Sequence, residues 1–273
     1  MADDDAIAFL QQVLPRLGLR WKGFRRVQRQ VRKRVARRFQ ALGLEGFGPY
    51  LRWLEAHPEE WAVLDALCRV TISRFFRDRA VFEQLREREL PRLREAAGAR
   101  GEPLRCWSAG CASGEEPYSL ALLLRLGLGM REGDFAIVAS DADQALLARA
   151  RRARYGHGSL REVPQEWKER AFEEPSSGDE WRLRASFAAG IEWRCEDLRR
   201  SMPEGPFEVI LCRNVAFTYL ELPVQRTVLQ RLGARLQPEG VLVLGAHESL
   251  PEGSGWERRG ALPIFVRGAR DEE

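Results

Sequence analysis

Four short segments carry residue types suited to chemistry, at spacings that would bring them to one edge of a sheet. The run Trp107-Ser-Ala-Gly-Cys-Ala-Ser-Gly-Glu-Glu-Pro-Tyr-Ser119 leaves an apolar strand, turns on small residues and opens a helix near Pro117. Proline suits a first helical turn because its missing N–H is not needed there. Small residues let a ligand approach the backbone, and a helix start presents free N–H groups. That is the geometry of a nucleotide or nucleoside pocket at the carboxyl ends of parallel strands; it is equally the pattern of an ordinary strand–turn–helix connection. The spacing is neither GxGxxG nor GxxxxGK, which speaks against a dinucleotide or a triphosphate. Asp141 follows the apolar run 135–140. A carboxylate there accepts both hydroxyls of a ribose, or caps the next helix, a role for which Asp143 is better placed. Cys212-Arg213-Asn214-Val215 leaves a third apolar run and either faces the same crevice or is a polar strand end. In Thr71-Ile-Ser-Arg-Phe-Phe-Arg-Asp78, two aromatics beside two arginines read from periodicity as a core plug with solvated charges.

These segments need a sheet to hold them. Residues 104–109, 135–140, 207–212 and 241–246 read as buried strands, with helical patterns between them. Strands alternating with helices predict an α/β fold with a parallel sheet wrapped on both faces. The pattern weakens after Tyr155; Trp181–Phe187 and Ile191–Glu196 read as strands, which predicts a small β insertion at about 155–195, with a turn at Ser176–Gly178. The first 85 residues or so read as helices. Phe24, Val27, Val31, Val35, Phe39 and Leu42 recur at steps of three and four, the mark of one buried helix face. Arg25, Arg26, Arg29, Arg32, Lys33, Arg34, Arg37 and Arg38 lie between them, and Gly43 offers a stop. Further helices are expected over 47–56, 59–69 and 79–94, with Pro58 and Pro91 as punctuation. The expected division is a helical domain over 1–85 and an α/β domain over 86–273, with a frayed tail.

With 273 residues, 44% hydrophobic and 31% charged, the chain buries a core without disulfide or metal staples. It has no apolar stretch approaching a membrane span. Its acidic start, Met1-Ala-Asp-Asp-Asp5, is unlike a secretory signal, so cytoplasmic residence is expected. Five scattered cysteines and three distant histidines (His57, His157, His247) argue for reduced thiols and against a zinc site.

Taken together, the four segments resemble the CheR type of chemotaxis-receptor methyltransferase, a protein-glutamate O-methyltransferase. Residues 43–51 resemble part of that family's helical domain, Ser73–Asp78 its T-x-F-F-R motif, and Trp107–Ser119 its W-S-A…G-E-E-P-Y-S motif. Ala139–Asp143 resembles its A-S-D-I-D, Gly205–Asn214 its G-P-F-D-x-I-x-C-R-N, and Leu236–Leu250 its closing L-x-P-G-G…G-H-S-E. The resemblance implies a class I S-adenosylmethionine-dependent methyltransferase fold with an N-terminal all-helical domain, S-adenosyl-L-methionine as cofactor and S-adenosyl-L-homocysteine as product. It implies Glu116 on the methionyl amino group, Asp141 on the ribose, and Asp197 with Leu198 beside the adenine. It also implies Arg213 and Asn214 on the cofactor from the third strand, Thr71 and Ser73 on it from the linking segment, and Arg77 at the methyl-transfer centre as the catalytic group. The implied partner is an acidic protein, a chemoreceptor-like helix, met by a monomer; the basic run 25–38 would be its docking surface or simply a solvated face. Nucleic acid is not expected.

The family has an amide where this chain has Asp197, and Asn and Thr where it has Thr71 and Ser73. It also places a tyrosine near the transferring methyl, where this chain has Thr218, with Tyr219 one position later. On a strand or extended segment a one-residue shift turns the side chain away; on a loop it need not. The acceptor is therefore open at this stage: a protein carboxylate, a different group, or none, with the chain a cofactor-binding regulatory module.

Overall fold

The computed structural model describes residues 2–175 and 178–268. Ser176 and Ser177 of the expected turn, and the tail from residue 269, lie outside the described residues. The chain forms two compact units: Met1–Thr71 with Thr218–Gln225, and Ile72–Phe217 with Arg226–Glu273.

The first unit is helical: α1 (Ala2–Val13), α2 (Trp21–Phe24), α3 (Gln28–Ala41), α4 (Phe47–Ala56) and α5 (Glu60–Cys68). The apolar stripe of α3 is buried as its period requires, through Val31, Val35 and Phe39. The single helix expected from Phe24 to Leu42 is corrected to two. Trp21–Phe24 is a separate turn because the residues around it bind elsewhere: Arg20 N–H donates to the Tyr219 carbonyl at 2.8 Å and Arg20 Nε to the Thr218 carbonyl at 3.0 Å. Gly23 is required there, since a Cβ would lie 2.2 Å from the Thr218 oxygen. Phe24 meets the Tyr219 ring edge-on, centroids 5.1 Å apart. The α3 helix ends as expected at Gly43, in the left-handed region at φ 71°.

In the second unit, α6 (Arg79–Gln84) passes through wide π-type turns at Leu85–Glu89 into α7 (Leu90–Ala99). Pro91 does not break this run; it falls in the first turn of α7, where its absent N–H costs nothing. Then come β1 (Leu104–Ala109), α8 (Glu115–Leu122), β2 (Phe135–Asp141), α9 (Gln144–Arg152), β3 (Arg154–Gly156), α10 (Gln165–Ala171), β4 (Phe172–Glu173), β5 (Glu180–Leu183), α11 (Ala185–Ala188), β6 (Ile191–Cys195) and β7 (Phe207–Leu211). The chain closes with α12 (Ala216–Tyr219), α13 (Leu222–Gly233), β8 (Leu236–Val243), β9 (Trp256–Arg258) and β10 (Ile264–Arg267).

The main sheet runs β6-β2-β1-β7-β8-β10-β9. Its first five strands are parallel, and β10 and β9 close it antiparallel. This is the class I methyltransferase sheet, reached as expected through alternating strands and helices. The last expected strand is longer at its start, because Leu236 already pairs with Phe207. The inserted element is the antiparallel sheet β3-β5-β4, which ends at Leu183. Ile191–Cys195 lies in the main sheet instead, paired in register with Ile137–Asp141. Phe75 and Phe76 are buried as the plug expected of them: Phe75 meets Tyr155 and Phe172 edge-on, and Phe76 meets Phe82.

Candidate functional site

The carboxyl ends of the parallel strands carry the polar residues. After β1 the backbone turns through Gly110 (φ 79°), Ala112 (φ 48°) and Gly114 (φ 93°), all left-handed, and enters α8. Gly114 has no room for a side chain: a Cβ would lie 2.8 Å from the Ala150 Cβ. The turn is tied to the neighbouring strand, because the Ser140 carbonyl accepts from Gly110 N–H at 2.8 Å and Cys111 N–H at 2.9 Å.

Adjacent glutamates in the first turn of α8 are sorted by their partners. Glu115 is buried, and its carboxylate accepts from Ser113 Oγ (2.8 Å) and Ser159 Oγ (3.1 Å). Glu116 points the other way, accepting from Ser108 Oγ at 2.7 Å and from Arg213 Nη1 at 3.0 Å. Arg213 reaches it from the end of β7 with a side chain only 2% exposed. The same guanidinium pairs with Asp78 at 2.8 Å and donates to the Arg77 carbonyl. One buried cation thus holds two carboxylates from different segments, the arrangement that keeps a buried charge tolerable. Arg213 Nε is buried without a hydrogen-bond partner.

Asp141 ends β2. Its Oδ2 accepts from Ala112 N–H and its Oδ1 from Asp143 N–H, both at 2.9 Å. Asp143 is the helix cap, accepting from Ala145 N–H and Leu146 N–H. Asp141 is thereby fixed between the β1 turn and the start of α9. Its carbonyl also accepts from Glu196 N–H at 3.0 Å, which brings the β6 end alongside. One residue on, the Asp197 carboxylate is gripped by its neighbour Arg199, with Nη2 at 2.6 Å; Leu198 is buried.

Asn214 adopts φ 57°, a left-handed conformation that asparagine tolerates better than most residues. Its N–H donates to Glu248 Oε2 at 2.6 Å. The Arg77 guanidinium turns back onto its own segment, donating to the Ile72 carbonyl at 2.9 Å. Thr71 ends the first segment of the first unit, and Ser73 is the second residue of the second unit. His247 is exposed in the turn after β8. Burial pushes the thiols of Cys111 and Cys212 up, so neither serves as a nucleophile at neutral pH.

Within the second unit the structure brings Glu116, Arg213 and the Arg77 backbone into direct contact, and joins Asp141 to the β1 turn and the β6 end. Sequence reasoning missed Asp78, Ser108 and Glu248. Asp78 and Glu248 were present as the last acidic residues of two matched segments.

The CheR methyltransferase SAM-binding domain matches residues 71–265. The chain belongs to the CheR methyltransferase family. Curated relatives agree. The chemotaxis protein methyltransferase of Salmonella typhimurium is 34% identical over 225 residues, 80% of this chain and 75% of its own. That of Escherichia coli K12 is 33% identical over 238 residues, covering 85% and 79%. Chemotaxis protein methyltransferase 1 of Pseudomonas aeruginosa is 36% identical over 182 residues, covering 64% and 65%. The chain is accordingly an S-adenosylmethionine-dependent methyltransferase by family.

The residues present fit that cofactor. It is a cationic sulfonium with an ammonium, a carboxylate and a ribose diol. The strand ends offer two carboxylates for the cation and diol (Glu116, Asp141) and a buried guanidinium with one free N–H for an anionic group (Arg213). No described helix is long and apolar enough to cross a membrane.

Proposed function

We propose that this chain transfers the S-adenosylmethionine methyl group to glutamate carboxylates of an acidic, chemoreceptor-like protein helix, as a cytoplasmic monomer. The observation that carries the reading is the Glu116–Arg213–Asp78 cluster beside Asp141, at strand ends of a chain whose relatives are named chemotaxis protein methyltransferases. Glu116 would hold the methionyl ammonium, Asp141 the ribose, Asp197 and Leu198 the adenine edge, and Ser73, Arg213 and Asn214 further cofactor groups. Thr71 keeps its place on the motif alone. The two-domain reading, helical then catalytic, goes with this assignment.

The cofactor supplies an electrophilic methyl for in-line displacement. A carboxylate acceptor is already ionised at neutral pH and asks for no general base; His247, in the turn after β8, is exposed. The work left to the protein is orientation and exclusion of water. Arg77 orients the incoming carboxylate through its planar fork; for this it releases the Ile72 carbonyl, a bond at an exposed position.

Docking is assigned to the basic face of α3 and the turn that precedes it. Arg25, Arg26, Arg29, Lys33 and Arg37 are exposed. Arg34 and Arg38 are not part of that face: Arg34 donates to the Leu67 and Arg69 carbonyls, and Arg38 pairs with buried Glu60 at 2.7 Å.

One observation favours a second reading, methyl transfer to a different acceptor. Thr218 stands at the family's tyrosine, and Tyr219 is occupied against Phe24. The test is mass spectrometry of host proteins incubated with methyl-labelled cofactor. Base-labile label on glutamates of an acidic helix is the expected result. Base-stable label moves the acceptor to another group, and tight cofactor binding with no labelled product makes the chain a binding module.

A further inference from the structure

The loop after β8 lies outside the residues assigned to the cofactor, yet it grips one of them. Glu248 Oε2 accepts two backbone N–H groups, from Asn214 at 2.6 Å and from Gly245 at 2.7 Å. Glu248 N–H in turn donates to the Gly245 carbonyl at 3.0 Å, so the turn Gly245–Glu248 is closed by reciprocal bonds. The β7 and β8 strand ends are thereby joined through one carboxylate oxygen. Asn214, in its left-handed conformation at φ 57°, lays its side-chain amide over Gly245. A Cβ at that glycine would sit 2.1 Å from Asn214 Nδ2 and 2.9 Å from Glu248 Oε2. A non-glycine residue in the left-handed region persists when its surroundings over-determine it, and here those surroundings are the carboxylate on one side and the bare glycine on the other.

We propose that Glu248 is a positioning residue for cofactor binding: by accepting from Asn214 and Gly245 together it sets the direction of the Asn214 amide, and Gly245 is the space that amide requires. The inference rests on Asn214 being a cofactor contact. It assigns no contact with the cofactor to Glu248 itself. Both backbone N–H groups are accepted by Oε2, and an amide oxygen accepts in the same way, so glutamine is the informative replacement.

The experiment is calorimetric titration of S-adenosylhomocysteine into the full chain and its N214A, E248A, E248Q and G245A variants, with circular dichroism to establish folding and with kcat and KM for the cofactor alongside. N214A and E248A each weaken binding tenfold or more. E248Q recovers affinity to within about threefold of wild type. G245A, whose methyl would crowd the Asn214 amide most closely and the Glu248 oxygen beside it, weakens binding about as much as N214A. In the N214A background neither E248A nor G245A adds a further loss, the non-additivity expected of groups acting through one another. In the single variants KM for the cofactor rises more than kcat falls. If N214A binds weakly while E248A and G245A bind as wild type, the positioning role is overturned and the Asn214 contact stands. If N214A itself binds as wild type, the Asn214 contact is overturned and the positioning role with it. If E248A fails to fold, E248Q and G245A decide the matter: E248Q no better than N214A, or G245A at wild-type affinity, overturns the role.

Discussion

Arg213 and Glu116 meet at 3.0 Å across the ends of β7 and α8, the arginine side chain 2% exposed and the glutamate 14%. A pair this enclosed is costly to break from either side, because the partner left behind stays buried and charged. Truncating Arg213 also strands Asp78. Arg213→Ala should lower stability by about 3–5 kcal/mol and abolish measurable S-adenosylhomocysteine binding. Glu116→Gln, which keeps the shape, should fold and bind at least tenfold more weakly. Thermal unfolding with calorimetry checks both; wild-type affinity in folded Glu116→Gln would remove Glu116 from the cofactor site.

Asp141 does double duty, accepting from Ala112 N–H and Asp143 N–H. Asp141→Ala should therefore weaken product binding by about 1.5–3 kcal/mol, the usual loss for hydrogen bonds to a charged group, and loosen the β1 turn as well. Asp141→Asn keeps an acceptor and separates the two effects. Hydrogen exchange at Ala112 reports the turn and calorimetry the ligand. Unchanged affinity in both variants would end the ribose assignment.

Tyr219 and Arg77 make opposite predictions. Tyr219 is engaged edge-on with Phe24, centroids 5.1 Å apart, and so should not stand in for the family tyrosine. Tyr219→Phe keeps that contact and should leave turnover nearly unchanged, and Thr218→Tyr should be tolerated if the acceptor is a glutamate. Arg77→Ala should cut turnover more than tenfold, which requires only about 1.4 kcal/mol of lost transition-state stabilisation. Steady-state kinetics on a methyl-accepting substrate decide; a large loss in Tyr219→Phe with Arg77→Ala near wild type would reverse the roles.

The basic helix divides by partner. Arg29 and Arg37 are exposed and Arg32 partly so; reversing the three to Glu should slow association with an acidic substrate and flatten its salt dependence, with cofactor affinity unchanged. Indifference of substrate methylation to this reversal would leave α3 a solvated face. Arg38→Glu should instead destabilise the fold, since it faces Glu60.

Glu60 is held below the ordinary carboxylate value of 4.5, first by the hydrogen bond from Arg38 and then by that from Tyr50, against the opposing effect of burial. The folded state therefore binds this proton more weakly than the unfolded state does. Its contribution to stability is full above pH 4.5 and drains away as pH falls through that value and below it. Glu60→Gln should cost about 1–3 kcal/mol at neutral pH, and the gap to wild type should narrow on acidification. A gap that stays constant down to low pH would contradict the assignment.

The strand–helix alternation from Leu104 onward, and the small-residue turn into α8, were legible in the sequence. They are local patterns: apolar runs, glycines and a proline within a few residues of one another, whose consequences follow from backbone sterics and periodicity. The residues proposed for the cofactor were legible for the same reason, since Glu116 and Asp141 each sit at a strand-to-helix junction that its own neighbours define. What periodicity could not reveal is partnership across the chain. It could not choose which of two adjacent glutamates faces Arg213, because both are compatible with the first turn of α8; Ser113 and Ser159 settle it by taking Glu115. It did not separate Arg34 and Arg38 from the exposed arginines of the same helix, because their partners come from another helix and its end, Glu60 and the Leu67 and Arg69 carbonyls. Nor did it start the basic helix at Gln28, because the turn before it answers to the Thr218 carbonyl, 198 residues from Arg20. Sequence determined the elements and the residue types offered at their ends; tertiary structure decided which charge meets which, since a hydrogen bond depends on distances in space that the chain's local order leaves free.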